Sequence, residues 1–382
     1  MMKIVLNGIE TNNKGAELML YAILQEIERK YPDAEVFLPY GATQKDMSYL
    51  HTNLRVRNMP LMGLRKAVVK MKIAGILRRV LKVDTSFITE ENLVKDAAYF
   101  IDASGFSISD QWNPSPARVD RWKYLCRKYG GGRTRMIFLP QAFGPAHLPA
   151  TRTILQYLSE YATLIMPREE VSENWLLRCG VDKNKIRRHP DFTILVEGVF
   201  PVGYERLKGG ICIIPNARMI DKGTISEDAY LSVLEHIIII CQESGHTVYL
   251  LNHEGPEDAE LAKKCAKRVK DTEVVTGLNA LEVKGLISTS YLCISSRFHG
   301  VISALNSCVP CLSTSWTHKY AELYKDYDLS GHVLDLQDMT GMERRIREAY
   351  QLEYNAHIRE HLVQQKTRMK ENTVAMWREV WG

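Results

Sequence analysis

Apolar and polar positions follow two different periods along the chain, and its beginning shows both. Residues 3–6 form a short apolar run of the kind found in a buried strand, and a polar loop follows over 7–15. From residue 16 to about 30, apolar residues recur at spacings of three and four, which is the period of an amphipathic helix. The pattern therefore predicts a strand, a loop and a helix in that order.

The same alternation continues over most of the chain. Further strands are predicted at 35–38, 97–102, 135–139, 163–166, 210–214, 247–251, 273–275, 291–295 and 309–314. Helices are predicted at 119–129, 151–161, 169–179, 226–244, 256–269, 280–288 and 300–306, with a charged helical segment from 341 onward. Strands that alternate with helices in this way indicate an α/β class with parallel sheets.

A stretch punctuated by Gly and Pro at 197–209 interrupts the series and is interpreted as a linker. A chain of 382 residues is also long for a single core. We therefore predict an N-terminal α/β domain at 1–196, a C-terminal α/β domain at 210–335, and helices at 336–382 that pack back across the domains. Two Rossmann-like domains facing a cleft would form a GT-B-like architecture with ligands at the strand ends.

Composition supports a folded protein, since 45% of the residues are hydrophobic and 25% are charged. The apolar runs are far shorter than the roughly 20 residues that cross a bilayer. No signal-peptide pattern precedes the first strand, so a cytoplasmic location is expected. The eight cysteines are accordingly expected to be reduced thiols.

Positive charge is concentrated between residues 47 and 83, where the sequence contains no Asp or Glu. On a helical projection Lys72, Arg78, Arg79 and Lys82 share one face, and apolar residues fill the opposite face. This basic amphipathic helix could pack on its own domain or lie against anionic lipid at the inner membrane face. No nucleic-acid partner is expected, because aromatic interleaving and recognised motifs are both missing from the sequence.

The strongest chemical signal follows the strand predicted at 291–295, which leads directly into Arg297 and His299 before a helix begins. Backbone N–H groups at a helix start, an Arg and a His together favour an anion site with a titratable group beside it. The next strand leads to Lys319 and another helix, so donors from neighbouring strand ends should converge. The alternative is that Arg297 pairs with an acid and His299 is a core histidine.

Other strand ends contribute further candidates. Arg168 could bind carboxylate or phosphate through its planar guanidinium, or form a salt bridge with Glu169 or Glu170. Asp102 and Ser104 belong to a turn of small residues that a ligand could approach closely. Gln141, Asn216 and the loop of Asn13, Lys14 and Gly15 occupy similar positions, and His253 with Glu254 is a second possible acid–base pair. No ligand cluster for a metal stands out.

Several of these elements together resemble the polysaccharide pyruvyl transferase family. The likeness runs from about residue 3 to residue 330, and the Ser-Arg-x-His block with its downstream Lys is its most specific part. The matching elements are Asn12-Asn-Lys-Gly15, Pro140-Gln141, Arg168 with Ser172, Pro190-Asp191, Ser296-Arg-Phe-His299 and Lys319.

The resemblance implies transfer of pyruvate from phosphoenolpyruvate to two hydroxyls of one sugar, forming a cyclic ketal in exopolysaccharide or capsule biosynthesis. Arg168, Arg297 and Lys319 would hold the donor, His299 would be the general acid or base, and Asp102 would be the reserve acid or base. Substrate contacts would come from Phe298, Asn13, Lys14, Gly15, Ser104, Gln141 and Asn216. No cofactor or metal is expected.

Two other functions remain open at this point. A GT-B glycosyltransferase would use the cations to bind the diphosphate of a nucleotide sugar. A non-catalytic sensor would bind a phosphorylated metabolite and keep that binding without His299. If the basic helix binds lipid, a lipid-linked oligosaccharide acceptor at the inner membrane face would fit the family reaction.

Overall fold

The computed structural model describes residues 1–39, 50, 52–59, 94, 96–221, 225–314 and 319–382. Lys72, Arg78, Arg79 and Lys82, and with them the predicted basic helix, lie outside the described residues. By their internal contacts the residues form two compact units. The first unit comprises Met1–Thr11 and Leu20–Arg188, and the second comprises Asn12–Met19 and His189–Gly382.

The described part of the first unit is built on a parallel sheet of six strands in the order β3-β2-β1-β4-β5-β6. The strands are β1 (Lys3–Asn7), β2 (Glu35–Leu38), β3 (Arg55–Asn58), β4 (Tyr99–Asp102), β5 (Arg135–Gln141) and β6 (Leu164–Pro167). The chain order reverses between β1 and β4. In open parallel sheets this reversal leaves a crevice at the carboxyl ends of the two strands.

Helices of the same part of the chain follow their sequence signals. They are α1 (Lys14–Lys30), whose residues up to Met19 group with the second unit, α2 (Pro116–Tyr129), α3 (Pro149–Tyr161) and α4 (Glu170–Arg178). Ser115 caps α2 by accepting the Arg118 N–H, and Pro116 occupies its first turn, where no N–H partner is needed. Aromatic rings from α2 and the sheet fill the core, and the rings of Phe100 and Tyr129 stack at 4.6 Å.

The second unit contains another parallel sheet, with six strands among its described residues in the order β12-β11-β10-β7-β8-β9. The strands are β7 (Ile211–Ile214), β8 (Val248–Leu251), β9 (Glu273–Val275), β10 (Leu292–Ser295), β11 (Cys311–Thr314) and β12 (Val333–Leu334). Its helices are α5 (Arg218–Asp221), α6 (Glu227–Gln242), α7 (Gly255–Ala266), α8 (Ala280–Ser288), α9 (Phe298–Asn306), α10 (Lys319–Asp326), α11 (Met339–Ala349) and α12 (Leu352–Trp381). Here the order reverses between β7 and β10.

The C-terminal helix α12 belongs to the second unit. Ile358, Leu362 and Met369 are buried in its core, and the Trp377 ring meets Phe192 edge-on at 5.8 Å. The segment that the sequence suggested as a linker, 197–209, is also part of this unit, and its Leu207 is completely buried. Hydrophobic burial therefore holds both segments on the second unit.

The α/β prediction is confirmed, and the predicted strands are present with ends that differ by at most two residues. Two strands were missed, β3 and β12. The sequence of β3, Arg-Val-Arg-Asn, has no apolar run, because an edge strand needs less apolar side-chain burial than a central one. The strand β12 is a two-residue edge strand, too short to show a period. Among the helices described, none combines the length and apolar character that a membrane span requires.

Candidate functional site

Arg297 follows β10 directly and lies at the N-terminus of α9. A buried polar network fixes the peptide group before it. Asn216 and the Tyr320 hydroxyl each donate to the Ser296 carbonyl at 2.7 Å, and the Ser296 hydroxyl lies 2.7 Å from that of Tyr230. Asn216, predicted as a substrate contact, is therefore a buried support of this strand end.

The guanidinium of Arg297 is engaged by two carboxylates. Its Nε and Nη2 donate to Asp258 at 2.7 and 2.6 Å, and its Nη1 donates to Glu254. Asp258 is completely buried, and burial raises the pKa of its carboxyl, which the hydrogen bond and charge of Arg297 partly offset. Glu254 is the more accessible partner, with 23% of its side chain exposed.

This pairing is the alternative that the sequence analysis kept open for Arg297. Asp258 was not identified from the sequence at all. One signal was available, because Glu254 and Asp258 are four residues apart at the start of α7 and therefore lie on one helix face. Their common partner, Arg297, is about forty residues further along the chain, and only the sheet brings it there.

His299 lies in the first turn of α9, and its Nε2 is 3.6 Å from Oδ2 of Asp191. That distance is slightly longer than a hydrogen bond. Asp191 is held in place by Thr193, whose N–H and hydroxyl donate to Oδ1 at 2.9 and 2.5 Å. The carboxylate is therefore positioned to compensate the charge that the imidazole carries when it is protonated.

The turn of Asn13, Lys14 and Gly15 starts α1 and groups with the second unit. Asn13 caps the helix by accepting the Gly15 N–H at 2.8 Å, and it forms an antiparallel bridge with Glu254. Gly15 lies directly against the imidazole, since a Cβ at this position would be 2.1 Å from Nδ1 of His299. The structure thus brings the predicted Asn13, Lys14 and Gly15 to the predicted His299.

Replacing Gly15 with Ala should displace the His299 ring. The added methyl would overlap Nδ1 and also lie 2.5 Å from Cγ of the imidazole, so the ring must leave its place beside Asp191. For the catalytic role that the sequence predicts for His299, we expect turnover to fall by about 100-fold, with little change in thermal stability. Steady-state kinetics and thermal unfolding of G15A test this. Ala16→Gly, one position along the same helix, is the control, and normal turnover in G15A would contradict the packing argument.

His253 is the histidine that the sequence paired with Glu254 as a second acid–base candidate. It is 2% exposed. Burial lowers the pKa of His253 well below its usual range, and the positive charges of Arg297, His299 and Lys14 lower it further. His253 is therefore a neutral core residue whose carbonyl accepts the Lys14 N–H at 3.4 Å.

Lys319 starts α10, and residues 315–318 before it lie outside the described residues. Its Nζ is 5.2 Å from the centre of the Phe298 ring, within the range of a cation–π contact. The same ring meets the imidazole of His299 edge-on at 5.6 Å. The Phe298 ring thus contacts both Lys319 and His299.

Behind Asp191 lies a buried lysine that sequence reasoning did not identify. Lys284 in α8 is 3% exposed, and its Nζ donates to the Thr193 carbonyl at 2.9 Å. Burial lowers the pKa of Lys284 to about 7, although the charge of Asp191 acts to raise it. Because Thr193 orients Asp191, this amine supports the carboxylate that faces His299.

Replacing Lys284 with Met should remove a pH dependence of stability. From about pH 7 to about pH 10 the unfolded chain keeps this amine protonated and the folded chain does not, so the free energy of unfolding rises with pH. Between pH 7.5 and 9.5 the wild type should gain about 2 kcal/mol relative to K284M. Urea unfolding at several pH values measures this difference. Lys263→Met, at an exposed position of α7, is the control, and parallel pH curves for K284M and the wild type would contradict the expectation.

Asp102, at the end of β4 in the first unit, is completely buried. Its carboxylate accepts hydrogen bonds from Asn7 at 2.6 Å, Gln141 at 2.8 Å and the Ser104 hydroxyl at 2.9 Å. Burial raises the pKa of Asp102, and these three donors act in the opposite direction. The geometry makes Asp102 an organising residue that orients Asn7 and Ser104, with Gln141 buried beside it.

Arg168 follows β6 in the first unit and is 6% exposed. Its Nε lies 4.0 Å from Oε2 of Glu169, the salt bridge that the sequence offered as its alternative role. Ser172, the other residue of this motif, accepts the Phe143 N–H at 2.7 Å. These contacts hold the start of α4 against the loop that follows β5.

A cavity of about 580 Å³ opens at the carboxyl ends of β1 and β4 in the first unit. Its walls include Asn7, Ser104, Ser107, Arg118, Arg121 and Trp122. Of these only Ser104 was predicted as a substrate contact. The arginines belong to α2, whose sequence showed only an ordinary amphipathic period.

No metal centre is formed by the described side chains, since no three His, Cys, Asp or Glu residues among them are grouped to hold an ion. All eight cysteines fall within the described ranges and are free thiols.

Solved structures similar to this one include enzymes described as UDP-GlcNAc 2-epimerases. A UDP-GlcNAc 2-epimerase from Neisseria meningitidis bound to UDP-GlcNAc has a TM-score of 0.58 and 11% identity, covering 100% of both chains. HepE from Anabaena, in complex with UDP and glucose, has a TM-score of 0.58 and 10% identity, covering 100% of this chain and 98% of its own. At these identities the likeness concerns the fold, and it confirms the GT-B-like class predicted from the sequence.

Among proteins of curated function, none matches the sequence significantly. A family model does match, over residues 13–318, and its description is polysaccharide pyruvyl transferase. The matched region includes the turn at Gly15, Asp191, Arg297 and His299, and it covers most of the chain. The protein therefore belongs to the polysaccharide pyruvyl transferase family.

Proposed function

We propose that this transferase moves pyruvate from phosphoenolpyruvate to two hydroxyls of one sugar in a polysaccharide or lipid-linked oligosaccharide, forming a cyclic ketal and releasing phosphate. The observation that carries the proposal is the grouping of His299, Asp191 and Gly15 at the start of α9, next to Arg297 and Lys319. An acid–base group beside cations is what this reaction needs.

The donor carries a phosphate and a carboxylate, so it requires positive charge. As described, Arg297 is compensated by two carboxylates. Asp258 engages it through two nitrogens and is completely buried, whereas Glu254 engages one nitrogen and is partly exposed. An anionic group of the donor would therefore replace Glu254 at Nη1, while Asp258 keeps the guanidinium oriented.

Lys319 supplies a second charge beside the Phe298 ring. Arg168, in the first unit, was predicted as a third cation for the donor, and that role stays a prediction. In this scheme Asn13 and Gly15 place the α1 N-terminus against His299, where the positive end of the helix dipole favours a negatively charged ligand.

His299 would move the protons. The imidazolium, compensated by Asp191, gives its proton to the methylene carbon of the donor, and the neighbouring carbon becomes an electrophile. The first sugar hydroxyl adds to that carbon and returns its proton to His299. The bond to the phosphate oxygen then breaks, with the electron pair leaving on phosphate, and the second hydroxyl closes the ketal as its proton passes to phosphate.

Asp102 has no place in proton transfer in this scheme, because its oxygens are buried and accept from Asn7, Gln141 and Ser104. Its proposed contribution is to orient Asn7 and Ser104 at the cavity of the first unit.

The test is incubation of the purified chain with phosphoenolpyruvate and a panel of galactosides, mannosides and glucosides. We expect phosphate release together with a mass gain of one pyruvyl group less water in one of the sugars. A panel with neither product, combined with thermal stabilisation by a UDP-sugar, would overturn the proposal in favour of a nucleotide-sugar transferase.

A further inference from the structure

Resting on the proposed function, we further propose that the first unit binds an anionic group of the acceptor saccharide, a carboxylate or a phosphate, in the cavity at the ends of β1 and β4. Neither the family description nor the similar structures specify the acceptor of this chain. The proposal specifies the charge of the bound group and the place where it binds, and it rests on the side chains that line the cavity.

The position of the cavity follows from the strand order. Asn7 ends β1 and Ser104 follows β4, and these are the two strands between which the chain order reverses. Ligands of open parallel sheets bind at this reversal. The volume of about 580 Å³ falls within the ~300–1,000 Å³ of ordinary small-molecule sites.

Two arginines give the cavity its positive charge. Arg118 and Arg121 are three residues apart on α2 and therefore share a helix face. Among the described residues, neither forms a salt bridge with a carboxylate. The Arg118 Nη2 donates to the Ser107 carbonyl at 2.8 Å, and the Arg121 Nη2 lies 3.4 Å from the Asn7 amide oxygen. Both contacts are to neutral oxygens, so neither of these described hydrogen bonds neutralises an arginine charge.

The remaining wall fits a sugar. Asp102 orients the Asn7 amide and the Ser104 hydroxyl, which can bond to sugar hydroxyls. Glu10 is the acidic residue of the lining, and a carboxylate also accepts from hydroxyls. Trp122, which is buried in the core of the first unit, closes one side of the cavity with an apolar ring.

The cavity is also preformed. Gly8, at φ +74°, passes so close to the loop after β4 that a Cβ on it would lie 2.0 Å from the Ser104 hydroxyl. A residue other than glycine could adopt neither this conformation nor this contact without strain. The two loops therefore support each other, and a ligand would lose little affinity to ordering them.

The donor contacts proposed above, Arg297, His299 and Lys319, belong to the second unit. Neither Arg118 nor Arg121 is among the cations proposed for the donor, so we assign an anion bound by these two arginines to the acceptor. This assigns the cavity to the acceptor and narrows that acceptor to saccharides carrying a uronate or a phosphate.

Binding can be measured without turnover, by saturation-transfer NMR titrations with glucuronate, glucose 1-phosphate and neutral glucose. One or both anions should bind at least about tenfold more tightly than glucose, as a charge-assisted hydrogen bond provides. The preferred anion distinguishes carboxylate from phosphate. Arg121→Gln and Arg118→Gln should each lose that preference and keep wild-type affinity for phosphoenolpyruvate. Arg127→Gln, on the same helix but outside the cavity lining, is the matched control.

Three results would overturn the inference. These are equal binding of glucose and both anions, unchanged anion binding in R118Q and R121Q, and a loss of phosphoenolpyruvate affinity in those variants. The last result would make the cavity a donor site. Anion binding needs no catalysis, so this inference can hold even where no pyruvyl transfer is observed. Conversely, pyruvylation of a neutral sugar together with no preference for anions would refute this inference and leave the proposed function standing.

Discussion

Substitution of His299 by Asn is expected to lower pyruvyl transfer by about 10²–10⁴-fold, the usual contribution of a general acid–base group. Asn is smaller than His, so the contact with Gly15 is relieved and the fold should be kept. The amide cannot carry the proton between the donor carbon and the sugar hydroxyl. Phosphate release measures the rate, and calorimetric titration with phosphoenolpyruvate measures donor affinity, which should change little.

His357→Asn is the matched control, since that histidine is exposed on α12 and should be dispensable. Asp191→Asn provides a second comparison, because it keeps the size of the side chain and removes its charge beside Nε2. In D191N the pH profile of kcat should shift, which a purely structural role would not produce. Turnover of H299N within a fewfold of wild type would contradict the assignment.

Replacing Arg297 with Met should have the largest effect on stability. Asp258 would remain completely buried with no positive partner, and breaking a buried ion pair in this way costs about 3–5 kcal/mol. Urea unfolding monitored on the second unit measures this loss. The loss should be smaller at pH 5 than at pH 8, because burial already raises the pKa of Asp258 and protonation removes the buried charge.

The double substitution of Arg297 by Met and Asp258 by Leu should recover part of the stability, since it removes both charges. Glu254→Gln tests the proposed exchange of Glu254 for the donor. It removes the carboxylate that we propose the donor replaces at Nη1, so phosphoenolpyruvate affinity should rise. A weaker donor affinity in E254Q would contradict that exchange, and an unchanged stability of R297M would contradict the importance of the buried pair.

The fold was largely predictable because its signals are local. Central parallel strands are buried on both faces, so runs such as Ile-Cys-Ile-Ile in β7 are apolar throughout. Helix periods and caps are equally local, as Asn279 and Glu282 show in the capping box of α8. The edge strand β3 was missed because its side chains are partly exposed, so its sequence contains no apolar run.

The candidate site was predictable only in part. Arg297, His299 and Lys319 could be grouped because parallel strands end at one edge of a sheet. The partners of these residues could not be predicted, because Asp258, Asp191 and Lys284 come from distant segments of the chain. Burial raises the pKa of Asp258 and lowers that of Lys284, and burial is a property of the packed structure.

The alternating elements, the parallel sheets and the residue types at the strand ends can be predicted from the linear sequence, since they depend on periods and on neighbours a few positions away. The folded structure was needed to show that Arg297 is bound by Asp258 and Glu254, that Gly15 lies against His299, and that two arginines of α2 line one cavity. Such contacts depend on strand order and on close packing between segments far apart in the chain, which a linear pattern does not encode.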